Sequence, residues 1–169
     1  MALRSAPAAV AALLLMVRIG AAVSHLPNTP PSGCGLVPVS LLEQTFGEKF
    51  DDAPLETEAP PAYDGAFGAN CQFFSKPPFA RGHQTRVDFI VYQEQSAAVA
   101  KDTFGKVAAF ATERSKPAPH IGDATYWAIK NGEESWIHVL KGNTHFAMGM
   151  QPDSDTELVS LATTVAGKL

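Results

Sequence analysis

The sequence predicts an α+β fold, a mainly antiparallel sheet with helices packed on its faces. Three observations carry this. "TRVDFIVYQ" alternates with the period of a strand. The C-terminal third holds three strand-like runs separated by Asn-Gly and Gly-Asn turn signals. Two further stretches, 97–114 and 154–169, repeat their apolar residues with the period of a helix.

The elements follow in chain order. In "SLLEQTFG", Ser40 and Glu43 have the spacing of a capping box, Leu41, Leu42 and Phe46 form one apolar face, and Gly47 suits the C-cap; a helix of about two turns is expected. Residues 51–68 combine three prolines and two glycines with Asp51, Asp52, Glu56, Glu58 and Asp64 and no base. This reads as a solvated acidic loop whose spacing fits no EF-hand, with Leu55 to Glu58 as a candidate edge strand. "NCQFFS" reads as a strand carrying Cys71 and Phe73 on one side and Phe74 on the other. "KPPFARGHQ" is a basic loop, and the strand after it sets Val87, Phe89 and Val91 against Ile90 and Tyr92. Both faces of that strand are apolar, so both sides of the sheet need cover.

Ser96 is the expected N-cap of a helix over 97–114, with Ala100, Phe104, Val107 and Ala111 as its stripe and Phe110 alongside. Gly105 costs this helix about 1 kcal/mol relative to alanine, and close packing on the sheet is the expected reason for it. The strands "ATYWAIK", "SWIHVLK" and "THFAMGM" then form a meander. A final helix opens with a second capping box, Ser154 and Glu157, and carries a stripe of Leu158, Leu161, Ala162, Val165 and Leu169.

The N-terminus reads as a secretory signal over residues 1–24. Arg4 is the basic region, Ala8 to Val17 the apolar run, and Ala22 and Ser24 stand at positions suited to a signal peptidase. The run is shorter than the ~20 apolar residues of a membrane span, and no later run approaches that length. Residues 25–33 read as an extended leader and 34–169 as one α+β domain. Removing residues 1–24 takes away two bases, Arg4 and Arg18, and leaves 11 bases against 17 acids, a formal charge of −6. That balance disfavours nucleic acid and anionic lipid as partners. Export makes a Cys34–Cys71 disulfide the expected pairing. A lipidated Cys34, two free thiols or a metal site are the alternatives. "PNTPPSGC" separates Cys34 from the apolar run, against lipidation, and no Cys-x-x-Cys pattern supports a metal.

"WIHVLKGNTHFAMGM" raises the question of a site. With Gly142 and Asn143 as a two-residue loop, Leu140 faces His145 and His138 faces Ala147, making the histidines diagonal neighbours about 7 Å apart. A bridging metal lacks an evident third ligand. If Asn131 and Gly132 also make a two-residue turn, Trp127 lies across from Trp136 on the histidine face, as core or stacking and not as a carbohydrate platform. Gly122 would allow positive φ in the "IGDATYW" loop, and Asp123 beside it is expected to cap that turn. The chain has no Gly-x-Ser-x-Gly, P-loop, dinucleotide or His-Glu-x-x-His motif.

"CGLVPVSLLEQTFG", "GANCQFF", "IGDATYW" and the final meander and helix together resemble small secreted bacterial domains of unknown function, many of them envelope lipoproteins. The resemblance spans Cys34 to Leu169 and implies fold and location, with no catalytic residue to carry over. The order of elements is similar to the Mog1 and PsbP-like layouts, an analogy of architecture only. The expected function is a non-catalytic binding or interaction module of the bacterial envelope or cell exterior. No cofactor is called for. The partner is an envelope or extracellular protein or small molecule, and Lys76, Phe79, Arg81, His83 and Arg86 form the first interaction loop to test. The acidic loop 51–66 is the second. The alternative is a metal-dependent or hydrolytic enzyme using His120, Asp123, His138 and His145.

Overall fold

The computed structural model describes residues 33–58, 67–111, 117–130 and 134–169. The expected signal and nearly all of the leader lie outside these residues. Six strands form one antiparallel sheet: β1 (Leu55–Glu58), β2 (Phe67–Phe74), β3 (Arg86–Gln93), β4 (Ala124–Lys130), β5 (Glu134–Lys141) and β6 (Thr144–Gln151), in the order β1-β2-β3-β6-β5-β4. Four helices accompany it: α1 (Gly33–Leu36), α2 (Val39–Phe46), α3 (Ala97–Phe110) and α4 (Asp155–Ala166). The α+β class is thus as expected. Among the described residues no helix is long and apolar enough to cross a membrane.

The sheet is covered on both sides, for the reason its sequence suggests. One face carries Cys71 and Phe73 of β2, Val87, Phe89 and Val91 of β3, Ile137 and Val139 of β5, and Phe146, Met148 and Met150 of β6, all at most 1% exposed. Leu42 and Phe46 of α2 and Leu158, Leu161, Ala162 and Val165 of α4 close this main core. The opposite face holds a second, smaller cluster, in which Ala100 and Phe104 of α3 meet Tyr126 and Leu140. The Cys34–Cys71 disulfide ties the segment at α1 to β2 with a Cα separation of 5.6 Å.

Helix ends show where local signals succeed. Ser96 accepts a hydrogen bond from the Val99 amide at 3.2 Å and starts α3 as expected. Gly47 ends α2 in the left-handed conformation, its amide donating to the Glu43 carbonyl at 2.9 Å. The α2 capping box does not form. Pro38, already extended at φ −64° and ψ 144°, takes the N-cap, which starts the helix two residues early and places Ser40 inside it. At α4 the Ser154 hydroxyl bonds the Glu157 carboxylate rather than a backbone amide. Leu169 lies beyond the end of α4 and is exposed. Gly105 is not explained by close packing: it is exposed, and a methyl group there would touch nothing within 4 Å.

One register differs from expectation. Lys130 pairs with Glu134, so three residues, 131–133, separate β4 from β5. Trp127 therefore pairs with Ile137 and turns into the main core at 3% exposure, away from Trp136. A one-residue shift reverses every side chain of a strand. The same shift brings Tyr126 opposite His138.

Candidate functional site

The β5–β6 hairpin has the expected register, with Leu140 opposite His145 and His138 opposite Ala147. His138 and His145 thus share the face beneath α3. Their rings tilt together, with centroids 5.5 Å apart and His138 Nδ1 3.2 Å from His145 Nε2. One neutral ring donates and the other accepts. Tyr126 stacks on His138 at 4.5 Å and 9°, Phe104 meets His145 edge-on at 5.0 Å, and Tyr92 closes the other side of His145 at 5.8 Å. This aromatic packing buries His145, leaves His138 partly buried and removes much of the water from both imidazoles. Burial pushes His138 down to about 3, with the neighbouring His145 adding to the effect, and burial pushes His145 down to about 4. Burial also raises the Tyr92 phenol.

The other members of the sequence-derived enzyme constellation are engaged elsewhere. Asp123 Oδ2 accepts from the Gly142 amide at 2.7 Å, and the Asp123 amide donates to Leu140 O at 2.8 Å. That backbone hydrogen bond, assisted by Lys141, holds the Asp123 carboxyl below the usual range. Asp123 is therefore a turn cap, but the turn it caps is that of the β5–β6 hairpin and not its own loop. Gly122 makes this possible: its φ is 64°, and a Cβ there would lie 2.4 Å from Leu140 O. His120 is exposed. The only trio of candidate metal-ligand types among the described residues is Cys34, Glu56 and Cys71, and its two sulfurs are bonded to each other.

The basic loop is tied back to the protein. Lys76 pairs with Asp52 at 3.1 Å, while Arg81 pairs with Glu157 and lies 5.4 Å over the Phe46 ring. The Arg81 amide also donates to buried Glu48 at 3.1 Å. Phe79 is half-exposed and His83 exposed. Arg86 belongs to β3, not to the loop, and its Nε donates to Asp88 Oδ2 at 2.8 Å. Of the acidic loop, residues 59–66 lie outside the described residues.

The polar groups that sequence reading passed over lie on the α3 side of the sheet, where the helix stops. None of the described residues clustered with α3 comes from β1, β2 or β3. Register places Leu55, Gln72, Asp88, Gly149, Trp136 and Ala128 in one row across all six strands. Gln72 Nε2 donates to Asp88 Oδ1 at 2.8 Å, so Asp88 receives an amide on one oxygen and Arg86 on the other. The carboxylate is almost enclosed, its side chain 5% exposed, while Arg86 remains at 34%.

Trp136 adjoins this row through a missing side chain. A Cβ on Gly149 would come within 2.6 Å of Trp136 Cε2, 2.8 Å of Cδ2 and 2.9 Å of Nε1. Cε2 is a ring-fusion atom, bonded in the plane on all three sides, so this approach is to the face of the indole. The indole therefore lies flat on the backbone of β6, its other face turned away from the sheet. Trp136 is half-buried, belongs to neither apolar cluster, and has a buried Nε1 with no hydrogen-bond partner. Alternation in "TRVDFIVYQ" puts Asp88 on the second face of its strand, yet only pairing between distant strands assembles the row.

Comparison of the chain with protein-family models, with curated proteins and with solved structures finds no match.

Proposed function

We propose that this chain is exported and acts as a non-catalytic binding module. Its recognition surface is the part of the sheet's α3 side beyond the helix, where Gln72, Arg86 and Trp136 are partly exposed. The observation that carries this reading is the row in which Gln72, Asp88 and Arg86 fix one another beside the flat indole of Trp136. Hydrogen bonds hold these polar groups in place before any partner arrives, which lowers the ordering cost of binding. By contrast, the two imidazoles are neutral near pH 7, and Asp123 is held by a backbone amide. The disulfide is compatible with an oxidising compartment outside the cytoplasm. An envelope or extracellular molecule is the proposed partner.

Two measurements test this. Residues 1–24 fused to a reporter should direct its export, with cleavage leaving His25 as the new N-terminus; a reporter retained inside the cell refutes the export reading. For the surface, a photo-crosslinking residue at position 72 should capture a component of the envelope fraction that the same residue at Lys101, on the exposed side of α3, does not. Equal capture at both positions, or none at 72, removes this face from consideration.

A further inference from the structure

We infer that Cys34, Cys71 and Glu56 form a redox-gated zinc site, closed while the two sulfurs are bonded to each other and able to take one Zn²⁺ once a dithiol reductant has opened the disulfide. The inference is independent of the binding-module reading and concerns the opposite face of the sheet, where Cys71 belongs to the main core.

The cysteines stand 37 residues apart, and pairing of β1 with β2 supplies a third donor that their spacing hides. Glu56 lies directly across from Cys71, so the two side chains share one face. A carboxylate oxygen of Glu56 and the two sulfurs all fall within 4.8 Å of one another. Ligand atoms around a tetrahedral zinc stand about 3.5–3.8 Å apart, given its bond lengths to sulfur and oxygen. Side-chain rotation is enough to reach that spacing once the sulfurs part. The approach is set by packing. A Cβ on Gly33 would lie 3.2 Å from Cys71 Sγ, 3.1 Å from Ala69 Cβ and 3.0 Å from Val91 Cγ1, so that side of the sulfur is crowded. Glu56 is exposed and Cys34 partly exposed, which gives an ion its entry, while Cys71 is buried as an inner ligand. The donor set selects the metal: two thiolates favour zinc over magnesium or calcium, and three protein ligands leave the fourth position to water. Charge makes the site depend on redox state. The disulfide is neutral, whereas two thiolates beside a carboxylate repel one another until a dication offsets them. Opening follows thiol–disulfide exchange. A thiolate of the dithiol attacks Cys34 Sγ, the more exposed sulfur, forming a mixed disulfide and releasing Cys71 as thiolate. The second thiol of the reductant then displaces Cys34, and the reductant leaves as a cyclic disulfide, having passed two electrons and two protons to the pair. Zinc binding sends those two protons to solvent.

The test uses the purified chain, oxidised or reduced without oxygen by a phosphine, because a dithiol would itself hold zinc. Each form is titrated with Zn²⁺ against a chromophoric chelator, and with Co²⁺, whose sulfur-to-cobalt charge-transfer absorption reports thiolate ligation. The reduced chain should take one ion and the oxidised chain none. Glu56→Gln should weaken binding at least about tenfold, since loss of even an outer partner costs a metal site that much. Asp51→Asn, which removes the same charge from an exposed residue of the same acidic segment, should leave binding unchanged. Cys34→Ser/Cys71→Ser should abolish both binding and the cobalt absorption. No ion taken up by the reduced chain overturns the inference, as does binding that the oxidised chain or the double serine variant retains. Affinity unchanged in Glu56→Gln removes the third ligand and overturns the site as stated. If reduction unfolds the chain, zinc should restore the near-ultraviolet circular dichroism of Trp127, which is sealed in the main core, and Glu56→Gln should need about tenfold more zinc to do so. A reduced chain that zinc does not refold also overturns it.

Discussion

Acidification acts on the paired imidazoles beneath α3, and its effect on stability can be worked from their surroundings. A free histidine titrates near 6.5, whereas in the folded chain His138 is pushed down to about 3 and His145 to about 4. Between these values and 6.5 the unfolded chain binds two protons that the native chain refuses. Stability is therefore full above pH 6.5 and falls as the pH drops through the window, with a slope approaching about 2.7 kcal/mol per pH unit for two protons. From pH 8 to pH 5 the loss is about 4 kcal/mol, a large part of the 5–15 kcal/mol typical of a folded domain. The lowered carboxylates Glu43 and Asp123 stabilise above their unfolded values and lose that contribution only below about pH 4.5, so the window from 8 to 5 isolates the histidines. The assay is urea denaturation at pH 8, 7, 6 and 5 of the wild type and of the His138→Leu/His145→Leu double variant. Replacing both partners with apolar groups of similar size should be close to neutral at pH 8 and should flatten the dependence below pH 7. The same slope in both proteins, or a wild-type loss under about 1 kcal/mol by pH 5, would refute the claim that the rings are neutral. Acid-induced opening should begin at α3, since Phe104 of α3 is in contact with His145, and the protection of the helix amides relative to their intrinsic exchange rate should fall with the pH.

Other perturbations probe single features. Reducing the Cys34–Cys71 disulfide, or replacing both cysteines with alanine, should cost about 4 kcal/mol for a separation of 37 residues, read as a lower urea midpoint. An unchanged midpoint would mean that the unfolded chain gains no freedom. Gly105→Ala should stabilise by up to about 1 kcal/mol, because the added methyl meets nothing within 4 Å; thermal denaturation showing a loss would reveal a hidden contact. Gly122→Ala should destabilise by about 2–3 kcal/mol, since it combines a positive φ with a clash against Leu140 O. A melting temperature within a degree of wild type would show that the turn can rearrange.

Much of the architecture is legible in the sequence because its causes are local. The pattern of β3, the Ser96 cap, the Gly47 stop and the Gly142–Asn143 turn each act within a few residues, and all stand where expected. Leu55 to Glu58 was also legible as an edge strand. The capping box of α2 misleads because Pro38, two residues upstream, sets the start of the helix instead. Trp127 misleads for a longer-range reason: one extra residue between β4 and β5 reverses its side, and the Asn-Gly signal alone does not give the loop its length.

The sequence alone determined the kind of every described element except the short helix α1, which it did not anticipate, together with the two covered faces and the pairing of the cysteines, since periodicity, turn chemistry and composition act along the chain. Tertiary structure decided which side chains meet: Tyr126 on His138, His138 against His145, and Trp136 over Gly149 beside Asp88. These contacts depend on register between strands far apart in the chain. A single-residue shift exchanges the faces of a strand, so spacing along one segment cannot specify them.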